Sequence, residues 1–414
     1  MWLQACAARG LWNRLHAFYT SEGERGHYPS WAECDQWIRE QRREHEWLAQ
    51  LPAKAAQQVL RHYRQSWVNH WAGTHARPTV RHRKGWRPAV DTPQAYGNGA
   101  LNLTRVNRKW AMALVTKAGR VKVRLSQPLP DRITGARLVL EADGWYMIVR
   151  GERAAQQHPR RDPDKALGID RGVAHTLAVS DGTFFDQPPT LTDGEARRLY
   201  RLERQAACRY RRGQRPSKRL QRTHRQIARL RARQARRRHD FQHQASATIA
   251  RSGYGTIALE GLRVASMTAS AKGTVAQPGE NVAQKAGLNR AILDQGWSAF
   301  ADKLAYKAAA AGASVVKVKA AYTSQECAEC HHVASGNRES QAVFRCVACG
   351  HEAHADTDAA RVIAQRGREA ALQDAEPIAV RRAAKRQPTT AARRRGLHEG
   401  ALAYRQTATE KVAD

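Results

Sequence analysis

Two Cys-x-x-Cys pairs constrain the fold of this chain more tightly than any other feature. Cys327 and Cys330 form the first pair, and Cys346 and Cys349 follow after 15 intervening residues. This spacing is typical of zinc sites in which each pair lies in a tight turn and four thiolates surround one tetrahedral ion. Because four sulfur atoms fill the coordination sphere, the predicted zinc ion is structural. We do not expect the neighbouring histidines to be ligands; these are His331, His332, His351 and His354.

The chain also carries a large excess of positive charge. Its 414 residues include 70 Lys or Arg against 37 acidic residues, a formal net charge of +33. Such a surface repels itself unless it meets a polyanion, and nucleic acid is a more obvious partner than a membrane surface. The sequence has no apolar run long enough to span a bilayer and no signal peptide, so we expect no membrane association. Seven cysteines, an odd number, favour a reducing compartment, here the cytoplasm beside the nucleoid.

The charge is concentrated between residues 197 and 238, which contain 18 Arg or Lys and a single acid, Glu203. Gly213 and Pro216 interrupt this helical stretch and predict a hairpin of two helices. Like charges one turn apart repel each other, so the alternative of a merely solvated face is less favoured than phosphate binding. We expect the same role for a shorter basic stretch, which contains Arg77, Arg81, Arg83, Lys84 and Arg87.

The first 160 residues predict helices followed by strands. Within residues 1–75, Ser30 and Glu33 form a capping box, and apolar side chains recur at helical spacing. These side chains are Trp31, Ile38 and Trp47, then Leu60, Tyr63, Trp67 and Trp71. They predict either a tryptophan-rich core or a recognition lobe on a duplex, and the two are compatible. Within residues 76–160, alternating strands around Asp143-Gly144 predict a small antiparallel barrel or sheet, between which periodicity does not decide.

Three carboxylates lie at the ends of elements in the second half of the chain. Asp170 ends a strand that begins at residue 166, Glu260 ends a strand that begins at residue 256, and Asp356 opens a helix. A lone carboxylate in such a place is usually a cap or an ion-pair partner. Three of them in a strongly basic chain instead suggest a site for paired Mg²⁺ ions, which hydrolyse phosphodiester bonds when clustered carboxylates hold them.

The remaining pattern completes an α/β arrangement. We predict further strands at 174–179, 182–185 and 314–318, an amphipathic helix through Leu293, Trp297, Phe300 and Leu304, a flexible loop at 264–287, and a disordered basic tail at 367–414.

Several motifs resemble those of the TnpB (OrfB) family of insertion-sequence proteins, which are related to type V CRISPR effectors. They are GIDRGV at 168–173, ALEGL at 258–262, GLNR at 287–290, YTSQEC at 322–327, FRCVACG at 344–350 and HADTDAA at 354–360. Their order and spacing agree with the family across residues 164–366. Residues 1–160 contain no diagnostic motif, although their layout fits.

The resemblance implies an RNase H-like RuvC core at 164–366 with a basic helical hairpin at 194–250 and an inserted zinc ribbon at 322–352. It also implies a helical recognition lobe at 1–75 and a wedge-like β domain at 76–160. Asp170, Glu260 and Asp356 would be the catalytic Mg²⁺ ligands, Cys327, Cys330, Cys346 and Cys349 would hold zinc, and the loop at 264–287 would be a lid.

The function that the resemblance implies is RNA-guided endonucleolytic cleavage of target double-stranded DNA. The guide RNA would derive from the transposon end, and the protein would read a short transposon-adjacent motif. Two departures stand out. The family's usual strand ahead of the first helix is missing, so we expect either an incomplete barrel or a start chosen too late. Asp358 stands where the family usually has Asn, and an added carboxylate there could perturb the metal site.

Three other functions stay open. A cleavage-deficient, RNA-guided DNA-binding regulator would be indicated by loss of one acid, but all three acids are present. A conventional transposase of this fold has its acids in the order Asp, Asp, Glu, whereas the order here is Asp, Glu, Asp. An RNA-packaging protein would leave the acids unexplained.

Overall fold

The computed structural model describes residues 1–83, 85–93, 101–152, 161–162, 164–274 and 276–374. These residues belong to two compact units, one formed by the described residues up to 152 and the other by those from 161 onwards. Most of the predicted tail, from residue 375, lies outside the described residues. Its first part is helical, because the last helix of the chain continues to Asp374 and so passes the predicted boundary at 367.

The first unit begins with helices. They are α1 (Trp2–Glu24), α2 (Trp31–Glu44), α3 (Glu46–Ala49) and α4 (Ala53–Trp71). The capping box is present, because the Ser30 hydroxyl accepts from the Glu33 N–H while the Glu33 carboxylate accepts from the Ser30 N–H. The buried core of these helices contains Leu11, Leu15, Tyr19, Ile38, Leu60, Tyr63 and Trp67.

The predicted apolar face of this helical part is wrong at three tryptophans. Trp31, Trp47 and Trp71 are exposed, although Ile38, Tyr63 and Trp67 are buried as predicted. The chain leaves the helical path at His45, after α2 ends, so Trp47 does not continue the face that Ile38 begins. Helical spacing alone therefore overestimated the width of the core.

The strands of the first unit form two antiparallel sheets of three strands each. The strands are β1 (Ala89–Pro93), β2 (Leu101–Arg105), β3 (Trp110–Val115), β4 (Gly119–Arg124), β5 (Arg132–Glu141) and β6 (Gly144–Glu152). Their orders are β1-β5-β6 and β2-β3-β4. The hairpin at Asp143-Gly144 is present, since Glu141 pairs with Gly144. Val90, Val115 and Leu138 bring both sheets into the core of the helices.

The second unit is built on a mixed sheet of five strands. They are β7 (Ala166–Asp170), β8 (Leu177–Val179), β9 (Phe184–Phe185), β10 (Thr256–Glu260) and β11 (Ser314–Val318). The order is β11-β10-β7-β8-β9, with β7, β10 and β11 parallel and the other two pairings antiparallel. Strands β7, β10 and β11 match the predicted ranges, whereas β8 and β9 are shorter than predicted.

Helices surround this sheet. They are α5 (Asp193–Arg209), α6 (Lys218–Ala250), α7 (Val264–Met267), α8 (Val282–Gln295), α9 (Trp297–Ala310) and α10 (Ala355–Asp374). A short hairpin, β12 (Val343–Arg345) with β13 (Glu352–His354), precedes α10. Ile249 of α6 and Phe300 and Leu304 of α9 pack on one face of the sheet, and Ile363 of α10 packs on the other.

Two predictions for residues 264–310 need correction. The predicted helix through Leu293 and Trp297 is two helices, because Gly296 between them has a φ of 66° in the left-handed region. Leu293 is consequently exposed while Trp297 is buried. The predicted loop at 264–287 contains α7 and the start of α8, and the Lys285 Nζ donates to the Met267 carbonyl across it. The small polar residues of 264–287 therefore form helical turns as well as irregular structure.

Helix α10 approaches the sheet so closely that two positions have no room for a side chain. A Cβ at Gly168 of β7 would lie 1.9 Å from the Ala360 carbonyl oxygen and 2.4 Å from the Ala364 nitrogen. A Cβ at Gly367 would lie 2.3 Å from the Cβ of Ala258 on β10. Backbone therefore packs on backbone, and the start of α10 is fixed relative to the ends of β7 and β10.

We expect the substitution Gly168→Ala to lower the free energy of unfolding by about 3 kcal/mol or more, because the added methyl group meets main-chain atoms that cannot rotate away. The matched control is Gly194→Ala in the first turn of α5, where no atom lies within 4 Å of the new Cβ; helix propensity predicts a gain of up to about 1 kcal/mol there. Chemical unfolding followed by circular dichroism measures both. Equal stability of the two variants would contradict the close packing of α10.

Candidate catalytic and metal-binding sites

Asp170 and Glu260 occupy the ends of neighbouring parallel strands. Ile169 lies opposite Leu259 in the register of β7 and β10, so the acids that follow them leave the sheet side by side. Asp356 lies in the first turn of α10, which packs across both strands. The structure thus places the three carboxylates near enough for Glu260 and Asp356 to raise the pKa of Asp170. Their oxygens are not as closely gathered as the cysteine sulfurs, which in the described residues form the group whose donor atoms all lie within 4.8 Å of one another.

The carboxylates perturb one another electrostatically. Burial, followed by the negative charges of Glu260 and Asp356, raises the pKa of Asp170 to about 7. Burial also raises the pKa of Glu260. Burial is the larger cause at Asp170 and the one raising cause at Glu260, so these acids lie in a site that excludes water. Clustered oxygen donors short of positive charge suit a hard divalent cation such as Mg²⁺.

Three further side chains hold this cluster in place. The Thr323 hydroxyl donates to the Glu260 Oε1, and the buried Arg171 guanidinium donates to the Glu260 main-chain oxygen. The Arg338 Nη2 donates to the Asp356 Oδ1 at 2.9 Å. Sequence reasoning assigned no role to any of them. Arg171 and Thr323 stand inside quoted motifs and could have been considered, whereas no pattern in the sequence distinguishes Arg338 from the other arginines.

Asp358 does not join the carboxylate cluster. It is 0% exposed and its Oδ1 lies 3.2 Å from the His351 Nε2, beside the cysteine pairs. Two residues along a helix correspond to a rotation of about 200°, so Asp356 and Asp358 occupy nearly opposite faces of α10. Asp358 therefore does not perturb the metal site through direct contact, as was expected of an added carboxylate.

The four cysteines converge on one point. Their sulfur atoms lie within 4.8 Å of one another, with 3.8 Å between Cys327 and Cys349 and 3.5 Å between Cys330 and Cys346. Zinc–sulfur bonds of about 2.3 Å in a tetrahedron place sulfurs about 3.8 Å apart, so the donor set fits such an ion. Each pair has the same turn: the Cys327 carbonyl accepts from the His331 N–H, and the Cys346 carbonyl accepts from the Gly350 N–H.

The nearby histidines have other partners. His331 contacts the Glu326 carboxylate at 3.1 Å, and His351 contacts Asp358. The Nδ1 of His354 accepts from the Asp356 N–H at 3.3 Å. In the described part of the chain, the group of side chains able to hold a metal contains the cysteines without any of these histidines.

The basic region forms the predicted helical hairpin. Helices α5 and α6 are separated by residues 210–217, where Gly213 has a φ of 79°. Leu199, Leu202 and Leu230 form a small core between them. Three acids pair with four of the arginines: Glu195 binds Arg233 and Arg237, Glu203 binds Arg231, and Asp294 binds Arg238. A larger set of exposed cations remains, which includes Arg197, Arg198, Arg201, Arg212, Arg215, Arg222, Arg225 and Arg229.

Several arginines of the shorter basic stretch contact other side chains of the protein, which the sequence does not indicate. Arg77 lies over the Trp67 ring at 5.4 Å, Arg81 lies over the Trp12 ring at 3.5 Å, and Arg87 pairs with Glu141. Burial lowers the pKa of Arg81 to about 10. Arg81 also lines a cavity of about 550 Å³. These arginines have structural roles within the first unit, and Lys84 lies outside the described residues.

Comparison with known proteins places these features in a family. A family model described as "Probable transposase" (OrfB_IS605) matches residues 149–271, and one described as "Cas12f1-like, TNB domain" matches residues 297–363. A protein of Escherichia coli K12, "Putative RNA-guided DNA endonuclease InsQ", is 33% identical over 391 residues, which cover 93% of this chain and 92% of that protein. The chain belongs to the TnpB (OrfB) family.

Other similarities of this OrfB-family chain are partial or concern the fold. The CRISPR-associated endodeoxyribonuclease Cas12f1 of Sulfoacidibacillus thermotolerans is 51% identical over 72 residues, 17% of each chain. A cryo-EM structure of a Cas12f1–sgRNA–target DNA complex aligns with a TM-score of 0.51 at 14% identity, covering 87% of this chain and 81% of that one. None of the helices in the described residues is long and apolar enough to cross a membrane.

The pKa of Asp170 generates a prediction about stability. In the unfolded chain this carboxyl has a pKa near 3.8, whereas in the folded, magnesium-free protein it is about 7. The folded state therefore retains a proton that the unfolded state releases, and folding stability falls as the pH rises from about 4 to about 7. We expect Asp170→Asn to raise the unfolding temperature at pH 8, on the order of 5 °C, and by less at pH 5.

Thermal unfolding in magnesium-free buffer at both pH values measures this difference. Asp240→Asn replaces an exposed carboxylate on α6 and is the control, for which we expect little change at either pH. An Asp170→Asn variant that is no more stable than the wild type at pH 8 would show that burial and the neighbouring carboxylates do not raise the pKa of Asp170 in the folded protein.

Proposed function

We propose that this chain is a transposon-encoded, RNA-guided DNA endonuclease that cleaves target DNA at a RuvC-like centre formed by Asp170, Glu260 and Asp356. One observation carries the proposal: the fold collects these three carboxylates, distant in sequence, at one edge of a sheet in a chain with a net charge of +33. A negatively charged centre in a positively charged protein is understandable when the substrate is itself a polyanion.

The architecture supports an RNase H-like core. A mixed five-stranded sheet has α6 and α9 on one face and α10 on the other, and all three acids lie on elements of this layer arrangement. The alignment with the Cas12f1 structure concerns the fold and is consistent with this assignment. Relatives described as RNA-guided DNA endonucleases favour the same chemistry.

Asp170, Glu260 and Asp356 would hold Mg²⁺, which when bound supplies activation of water and stabilisation of the leaving oxygen. The protein's own contribution is to position the ligands. Thr323 fixes the rotamer of Glu260, and Arg171 secures the main chain at the end of β10. Arg338 holds Asp356 and places a guanidinium, a good partner for phosphate oxygens, at the edge of the cluster.

The four cysteines would hold a structural Zn²⁺ ion. Their sulfur separations fit a tetrahedral ion, and the two turns expose main-chain N–H groups around the thiols. Zinc would supply folding energy to a segment that contains a two-stranded hairpin, a short 3-10 helix at Ser335–Asn337 and a small apolar cluster around Phe344.

Sequence specificity would come from a guide RNA of the transposon end, paired with the target, while the protein reads the duplex shape and a short adjacent motif. The α5–α6 hairpin would bind phosphates through its exposed arginines. We place this activity in the cytoplasm, at the nucleoid. The alternative, a guided DNA-binding regulator, is less favoured because all three acids are present and assembled.

Guided cleavage tests the proposal directly. The chain is co-expressed with RNA from the transposon end, and the purified complex is given matched plasmid DNA and Mg²⁺. We expect cleavage that requires a matching guide, and its loss by at least a thousandfold in Asp170→Ala, with DNA binding retained. Asp164→Ala, an exposed acid just ahead of β7, is the control and is expected to leave cleavage unchanged.

Guided DNA binding by the wild-type complex without any cutting would support the regulator instead. A chain that purifies without RNA would contradict both functions.

The hairpin is tested through the salt dependence of guide RNA binding. Substituting Arg222, Arg225 and Arg229 with Gln removes exposed charges, so we expect the slope of log affinity against log salt concentration to become shallower by about 2. The control replaces three arginines that already pair with Glu195 or Glu203, namely Arg231, Arg233 and Arg237. We expect a change in slope of less than about 1 for the control. Equal slopes in the two triple variants would exclude the exposed face as the phosphate-binding surface.

A further inference from the structure

Helix α10 contributes residues both to the carboxylate cluster and to the surroundings of the four cysteines. Asp356 in its first turn belongs to the carboxylate cluster, and Asp358 on the other side of the same turn is fully buried against the cysteine module. We use "cysteine module" for residues 326–354, from the first cysteine turn to the end of β13. The backbone of a single helical turn therefore connects the two.

Asp358 contacts the module through a residue that is part of a cysteine turn. The His351 Nε2 lies 3.2 Å from the Asp358 Oδ1, and the His351 side chain is largely buried. The His351 carbonyl accepts from the Cys346 N–H at 2.9 Å. The position of the imidazole is thus set by the turn that presents Cys346 and Cys349.

The other cysteine turn reaches the same part of α10. The Ala328 N–H, next to Cys327, faces the Asp358 carboxylate, and the Ala328 carbonyl accepts from the Gln365 Nε2 at 2.7 Å. Asp358 therefore lies between the two turns, and both must be in place for it to be surrounded as it is here.

The stability of a buried carboxylate in this position depends strongly on these partners. Ionised Asp accepts hydrogen bonds and donates none, and a buried charge that loses its partner destabilises a protein by several kcal/mol. Among the described residues, the Asp358 Oδ2 has no hydrogen-bond partner of normal geometry, and beyond the cysteine module the charge of Arg361 on the same helix favours the ionised carboxylate. If the cysteine turns separate, the first turn of α10 cannot keep Asp358 buried without cost.

We infer that the Asp358–His351 contact is a positioning element that couples the integrity of the cysteine module to the placement of Asp356 in the carboxylate cluster. Metal bound by the four cysteines would then control the nuclease centre indirectly, through the first turn of α10. The contact with Arg338 fixes the Asp356 side chain, whereas the contact with Asp358 fixes the helix backbone that carries it. The effect on cleavage rests on the proposed function, but the coupling itself does not.

Four substitutions separate positioning from general stability. Asp358→Ala removes the carboxylate, and Asp358→Asn keeps an oxygen acceptor of the same shape for His351. Ile363→Ala is the matched control, because Ile363 is equally buried on α10 but packs on Ala258 and Val318 of the sheet. His351→Ala removes the other partner and provides a second test if Asp358→Ala does not fold.

The full chain is measured in three ways: zinc content, hydrogen–deuterium exchange at residues 355–360, and the Mg²⁺ concentration that gives half-maximal cleavage. For Asp358→Ala we expect one zinc per chain, at least tenfold faster exchange at 355–360, and at least a threefold higher half-maximal Mg²⁺ concentration. Asp358→Asn should restore most of both properties. Ile363→Ala should lower the unfolding temperature without moving the Mg²⁺ requirement.

Zinc removal from the wild type by a chelator should produce the same faster exchange at 355–360, with little further increase in Asp358→Ala. Wild-type exchange in Asp358→Ala, or an equal Mg²⁺ shift in Ile363→Ala, would overturn the inference. A wild-type chain that does not cleave would refute the proposed nuclease while leaving the exchange measurement to decide the coupling.

Discussion

The second unit depends on the close packing of α10 against β7 and β10. At Gly168 the helix and the strand meet backbone to backbone, and no side chain can fill or widen the gap. A helix separated from a sheet by large side chains can shift as those side chains change rotamer. A helix in main-chain contact cannot, so the position of Asp356 relative to Asp170 and Glu260 is set by atoms with little freedom to move.

This rigidity is needed because the three carboxylates repel one another. Burial, followed by the charges of Glu260 and Asp356, raises the pKa of Asp170 to about 7, so keeping these acids buried together costs free energy. The main-chain contact of α10 with Gly168 opposes that repulsion without adding any charge to the site. Because the preorganised carboxylates destabilise the metal-free protein, binding of a divalent cation increases the stability of the folded state by a correspondingly larger amount.

Features determined by local sequence were predictable, and those determined by distant neighbours were not. Strands β7 and β10 are short apolar runs that end on a carboxylate, so their type and bounds follow from the chain itself. The cysteine pairs define their own turns in the same way. Trp31 and Trp47 show the opposite case, because helical spacing indicates which residues share a face but not where another element covers that face.

Arginines show the same limit. Composition predicts that many cations contact phosphates, but it cannot identify those that the fold already uses. Arg81 lies on Trp12, Arg338 binds Asp356, and Arg237 binds Glu195. In each pair the two residues are far enough apart in sequence that no local pattern predicts the contact. When these arginines are excluded, the outer surface of α5 and α6 still carries many exposed arginines in the described part of the second unit.

Asp358 illustrates how geometry changes the meaning of a sequence feature. In the sequence it stands two residues from Asp356 and suggests a fourth acid in the metal site. Helical rotation moves it to the opposite face, where its partners are the His351 imidazole and the Ala328 N–H instead of other carboxylates. The closed cysteine site and the open carboxylate site thus meet at one helical turn. A buried, acceptor-only group is a sensitive connection between them, because its hydrogen-bonding partners, His351 and Ala328, belong to the cysteine module.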